Sequence, residues 1–199
     1  MTTESTDTPP EHVVTLREDP ALGQVVREHG AVELTPAEDL FERLVVSLTR
    51  QQVSMAAADA IEQRLFDRVE VTPEGILAAD PADLHDAGLS EAKAEYVQAV
   101  ARAFREREWD HDYFAGMDDE GVVAEVTEIR GVGPWTAKMF LMFGLGREDV
   151  FPVEDLGIRK GMETVFDDEL TRGEMRTRAE RWAPYRSYAS CYLWRAVED

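Results

Sequence analysis

The sequence predicts an all-α fold, and three observations predict it. Apolar residues recur at helical spacing in one segment after another, as in Leu40, Phe41, Leu44, Val45 and Leu48. Favoured N-terminal residues stand ahead of such segments: Thr35-Pro36, Ser54, Thr72-Pro73, Asp80-Pro81 and Ser90. A glycine pair, Gly131 and Gly133, joins two more helical segments across one apolar residue, Val132.

In chain order, residues 1–12 are polar, contain Pro9-Pro10 and read as a disordered tail. Asp19-Pro20 begins a short helix that runs to His29 and closes at Gly30. Thr35 as cap and Pro36 at the first position start the next, which buries Leu40 to Leu48. Arg50-Gln51-Gln52-Val53-Ser54 breaks that apolar run. Taken alone it is a helix junction, with Ser54 capping a helix from Met55 to Val69. Two short helices follow at Thr72-Pro73 and Asp80-Pro81, and Gly88-Leu89-Ser90 leads into a long one from Glu91 to Arg107. Trp109 to Phe114 is an aromatic connection. Asp118 to Glu128 is helical, with Val122, Val123 and Val126 on one face; after the glycines, Pro134 opens a helix carrying Trp135, Met139 and Met142. Asp149 to Pro152 is extended because residues before proline avoid the helical region. Helices then cover Leu156–Val165, Thr171–Trp182 and Pro184–Val197, with Tyr185 and Tyr192 in the core.

The chain has 199 residues and a net charge of −20, with 3 Lys, 18 Arg and 41 acidic residues. A surface this acidic and lysine-poor suits a protein dissolved in very high salt; an acidic partner-binding face is the rival explanation. The acid is uneven: residues 1–40 carry a net of −7, whereas residues 129–160 carry a net of +1. The glycine hairpin is therefore spared. In molar salt, counterion release contributes little to binding a polyanion, so backbone donors and stacking would have to carry it. No apolar run is long enough to span a bilayer, and no secretory signal is expected. The single Cys191 excludes an internal disulfide framework and a four-cysteine iron–sulfur cluster. His12, His29, His85 and His111 lack ligand spacing and read as surface or loop residues.

On glycine spacing alone, a tight helical corner is the simpler reading of the hairpin. The motif is longer, however: Ile129-x-Gly131-Val132-Gly133-x-x-Thr136-Ala137, with Asp155 some twenty residues on. This resembles the helix-hairpin-helix DNA glycosylases with their Gly-Pro-Asp loop, and more closely their alkylpurine (3-methyladenine) branch. Trp182-Ala183-Pro184-Tyr185-Arg186-Ser187-Tyr188-Ala189 is similar to the same branch. The resemblance covers roughly residues 36 to 199. It implies two helical lobes, one of residues 13–51 plus 143–199 and one of 52–142 ending in the hairpin (128–143), with Asp155 in the cleft between them.

The resemblance also implies a set of roles. Asp155 becomes the catalytic carboxylate rather than merely a helix cap, with Glu154 in a minor part. Trp135, Trp194, Tyr188 and Met139 would line the substrate pocket. Gln51, Gln52, Ser54, Arg130, Gly131, Gly133 and Thr136 would meet DNA, Gln52 filling the gap left by an extruded base. The carbonyls of Thr127, Ile129 and Val132 would bridge a structural Na+ or K+ to a phosphate; no other cofactor is implied. Strand-cutting relatives place a lysine after the hairpin proline, where this chain has Trp135, so a monofunctional enzyme leaving an abasic site is expected. Met139 stands where a well-known relative has tyrosine, and that relative's N-terminal β-domain has no counterpart. The expected partner is damaged double-stranded DNA, bound by a monomer in the cytoplasm at the nucleoid. Two alternatives stay open: a non-catalytic hairpin module that binds DNA structure, and a glycosylase for uracil, deaminated or mismatched bases.

Overall fold

The computed structural model describes residues 9–197. Among them the secondary structure is helical throughout, and no helix is long and apolar enough to cross a membrane. The chain divides into two compact units: a terminal unit that joins the residues up to Leu34 with those from Glu148 onward, and a central unit, Thr35–Arg147.

The terminal unit opens with α1 (Glu11–Glu18) and α2 (Gly23–His29). Sequence reading places a tail at 1–12; residues 1–8 lie outside the described residues, and Glu11 and His12 already belong to α1. Pro10 precedes this helix, and Val13 and Leu16 bury its apolar side. His12 is thereby carried onto Tyr188, where the two rings stack at 3.8 Å, so it is no loop residue.

The central unit contains α3 (Leu40–Thr49), α4 (Met55–Arg68), α5 (Pro73–Ala78), α6 (Pro81–Asp86), α7 (Glu91–Arg107), α8 (His111–Ala115), α9 (Asp119–Thr127) and α10 (Pro134–Met139). A π-helical turn, Phe140–Gly144, continues α10. Helix α3 does not start at Thr35-Pro36. Its cap is Asp39, whose carboxylate accepts the Glu42 N–H at 2.9 Å. The Ala37 N–H is committed instead to the carbonyls of Phe143 and Gly144. Residues 35–51 and 143–147 therefore pack in the central unit rather than in the terminal one, because α3 lies against α7 and the π-helical turn. The aromatic connection becomes a ladder of edge-to-face rings: Phe41 on Phe104, Phe104 on Trp109, Trp109 on Phe114 and Phe114 on Phe140, each 5.2–5.3 Å apart. Such pairs add about 0.5–1.5 kcal/mol each beyond the area they bury.

Back in the terminal unit, α11 (Leu156–Phe166), α12 (Arg172–Ala179) and α13 (Arg186–Arg195) complete the helices. Their core joins Ile158, Met162, Met175, Trp182, Tyr192 and Leu193 to Val13, Leu16 and Val26 from the other end of the chain. The Tyr192 hydroxyl donates to the Gly30 carbonyl at 2.7 Å, so this buried tyrosine is satisfied.

Candidate active site and hairpin

Asp155 sits at the N-cap of α11 with extended backbone. One carboxylate oxygen, Oδ1, accepts the Ile158 N–H at 2.9 Å and the Trp194 Nε1–H at 2.8 Å. The first bond is the helix cap that the local sequence anticipates. The second comes from α13, 39 residues away, and ties the carboxylate to an indole. Gly157 makes room for it: a Cβ there would stand 2.7 Å from Trp194 Cδ1 and 3.1 Å from Asp155 Oδ1. Two donors fix one oxygen and set the plane of the group. Beside it, Leu156 is 57% exposed, an apolar residue left to solvent at the mouth of the helix. Glu154 is turned elsewhere, toward Arg176 at 3.7 Å.

Tyr188 is buried, with its hydroxyl donating to Glu148 at 2.8 Å and its ring covered by His12. Burial, reinforced by the Glu148 carboxylate, pushes its pKa up to about 12. In this unit Tyr188 is a core residue. In the central unit Met139 is likewise buried in α10, while Trp135 on the first turn of that helix is half-buried.

The hairpin runs from Glu128 to α10. Gly131 takes φ +94°, and a Cβ there would overlap the Tyr96 ring, so only glycine fits. Gly133 differs: its backbone is extended and a Cβ would meet nothing within 4 Å. The sharp turn therefore needs the first glycine and not the second. As the cap of α10, Gly133 offers no side-chain acceptor to the first turn. Arg130 is 72% exposed, pairs with Glu95 at 2.7 Å and lies over the Tyr96 ring.

The turn between α3 and α4 is bound to this hairpin. Gln51 Nε2 donates to the Gly131 carbonyl at 2.9 Å and to Thr136 Oγ1 at 2.7 Å. Lys93 of α7 donates to the carbonyls of Thr49 and Gln51 at 2.7 and 2.8 Å. Ser54 caps α4, its hydroxyl accepting the Ala57 N–H at 3.3 Å. Gln52 is exposed at the tip with φ +55°, and Val53 and Met55 beside it are 38% and 61% exposed. A cavity of about 430 Å³ opens between turn and hairpin, lined by Gln51, Gln52, Lys93, Tyr96 and Gly131 among others. Sequence reading assigns Gln51 to DNA and passes over Lys93; no local signal marks either bond, since partners lie 80, 85, 44 and 42 residues away.

No group of three or more His, Cys, Asp or Glu among the described residues is placed to hold a metal ion. Of the three hairpin carbonyls, that of Ile129 already accepts the Val132 N–H at 3.0 Å. A carbonyl keeps a second lone pair, so that bond does not by itself bar the Ile129 oxygen from a hard cation.

Residues 45–186 match the model of the HhH-GPD superfamily base excision DNA repair proteins. A DNA-3-methyladenine glycosylase of Saccharomyces cerevisiae is 33% identical over 79% of this chain and 67% of its own. The structure is similar to that of Schizosaccharomyces pombe 3-methyladenine DNA glycosylase (Mag1) in complex with abasic DNA, with a TM-score of 0.87 at 26% identity over 94% of this chain and 96% of that one. It is also similar to a DNA-3-methyladenine glycosidase from Bacillus halodurans, with a TM-score of 0.78 at 33% identity over 98% and 92%. With a family model covering most of its length and a helix-hairpin-helix followed by a buttressed aspartate, the chain belongs to the HhH-GPD superfamily of base excision DNA repair proteins.

Proposed function

We propose that this chain is a monofunctional DNA glycosylase that removes alkylated purines, of the 3-methyladenine and 7-methylguanine type, from double-stranded DNA. The observation that carries this reading is the Asp155 carboxylate held by two N–H donors, one from its own helix and one from Trp194.

A base cannot react inside the stack, so its nucleotide is first extruded. Bond cleavage then leaves positive charge on the sugar. The fixed carboxylate of Asp155 stabilises that charge and orients the attacking water, and it costs no reorganisation because its donors already hold it. Alkylation at N3 or N7 makes the purine cationic, so it leaves without being protonated and no separate acid is required. The electron-rich indoles of Trp135 and Trp194 each offer a face that attracts such a ring. Trp135 in place of a lysine removes the amine that a strand-cutting reaction would use, so the product is an abasic site for base excision repair.

Binding falls to the central unit. Arg130, Gly131, Gly133 and Thr136 seat a backbone phosphate at the start of α10, where the cap residue Gly133 supplies no side-chain acceptor of its own. A monovalent cation held by the carbonyls of Thr127, Ile129 and Val132 would add positive charge at that seat. Gln52 and Ser54 present the turn to the duplex, Gln52 filling the space of the extruded base with Val53 beside it. The chain acts as a monomer, in the cytoplasm at the nucleoid, with a surface suited to high salt.

The test is release of methylated bases from alkylated duplex in molar potassium chloride, by wild type and Asp155→Asn. Release of 3-methyladenine or 7-methylguanine by wild type alone is the expected result. DNA binding with no release from any lesion would make the chain a non-catalytic module, and equal release by both proteins would remove Asp155 from the mechanism.

A further inference from the structure

Gln51 belongs to the turn between α3 and α4, yet both N–H groups of its side-chain amide are spent on the hairpin, one on the Gly131 carbonyl and one on Thr136 Oγ1. Thr136 is 1% exposed on the first turn of α10, so the amide rests against a rigid support. Lys93 grips the same turn from α7 through the carbonyls of Thr49 and Gln51. Next in the chain, Gln52 stands exposed in the left-handed region at φ +55°. A non-glycine residue there costs on the order of 1–3 kcal/mol and persists only where its surroundings over-determine it. The bonds of Gln51 and Lys93 supply that constraint.

We propose that Gln51 is a positioning residue that couples the two DNA-contacting elements, fixing Gln52 at the tip of the turn relative to the phosphate seat at Gly131–Thr136. The extruding side chain is then held at a fixed position relative to that seat. This rests on the glycosylase reading above. It changes the part of Gln51 from a DNA contact to a brace, and the requirement is for two donors at that reach. Methionine would fill the same volume without donating; glutamate would put an acceptor against the Gly131 carbonyl.

The test uses the full chain with Gln51→Met and Gln51→Glu, folding being checked by thermal unfolding. Three quantities are read: affinity for a duplex with a tetrahydrofuran abasic analogue, the fluorescence rise of a 2-aminopurine beside that analogue as it unstacks, and single-turnover release of 7-methylguanine. Both variants should keep affinity within about threefold while release slows about tenfold or more, the loss expected from two hydrogen bonds. The fluorescence rise should shrink in parallel with release. A full fluorescence rise in Gln51→Met would mean that packing alone is required and would overturn the proposal, as would affinity and unstacking falling by one common factor. If wild type unstacks the probe but releases no alkylated base, the glycosylase reading falls while the fluorescence comparison still decides the role of Gln51. If wild type unstacks nothing, the coupling falls too.

Discussion

Helix α11 starts on Asp155, whose carboxylate accepts the Ile158 N–H, whereas α10 starts on Gly133, which has no side chain to offer. Both starts expose the positive end of a helix dipole, and the chain fills them with opposite chemistry. At α11 the negative charge is built in and braced by Trp194. At α10 the cap residue supplies no charge of its own. On the proposed reading, the carboxylate cap would serve a reaction that generates positive charge, and the glycine cap a surface that accepts an anion. The proposed function assigns catalysis to the first helix start and binding to the second.

The sharpest way to break this comparison is Asp155→Asn. Asparagine caps about as well as aspartate, so the melting temperature should hold, while base release should fall on the order of 10²–10³-fold, as when one preorganised electrostatic group is removed from other active sites. A large drop in melting temperature with an equal drop in binding would make Asp155 a structural cap alone.

Next in size is the pair Gly131→Ala and Gly133→Ala, compared by urea unfolding. Alanine at 131 must take φ +94° and meet the Tyr96 ring, and should cost about 2–4 kcal/mol. Alanine at 133, with extended backbone and open space, should change stability by about 0.5 kcal/mol or less. Equal costs would contradict the asymmetric hairpin.

Trp194→Phe sharpens the catalytic side. It keeps an aromatic ring and removes the indole donor to Asp155 Oδ1, so release should slow about tenfold, the worth of one hydrogen bond to a charged group, with DNA affinity nearly unchanged. The smallest effect concerns stability against pH in the terminal unit. Burial raises the Tyr188 pKa to about 12 in the folded chain; an unfolded tyrosine titrates near 10. Its contribution is complete below pH 10 and fades as pH rises from there toward 12. Tyr188→Phe should flatten that part of the stability profile, followed by thermal unfolding across the alkaline range.

Much of the helix pattern is legible in the chain because its causes are local. Ser54, Thr72, Asp80, Ser90, Asp118 and Thr171 cap the helices they precede through side chains that reach an N–H two or three residues on. Where local signals compete, reading fails: Thr35-Pro36 looks as good a start as Asp39, and only the Ala37 N–H bonded to Phe143 and Gly144 decides between them. Helix α1 escapes notice because two residues, Val13 and Leu16, make too short an apolar pattern to register until the rest of the terminal core closes on them. The π-helical turn after α10 likewise has no local mark; its extra residue shows only in the Leu145 N–H reaching back to the Phe140 carbonyl.

At the site the division follows the same line. The sequence by itself determined the helical class, the glycine hairpin, the carboxylate at a helix mouth and the absence of a lysine beside Pro134, since each is a matter of residue type and short spacing. The tertiary structure alone decided that Tyr188 and Met139 are buried, that Gly133 is unstrained, that Trp194 braces Asp155, and that Gln51 joins the turn to the hairpin. Those bonds link positions 39 to 85 residues apart. Their partners meet only after the hydrophobic cores have paid the entropy of closing those loops.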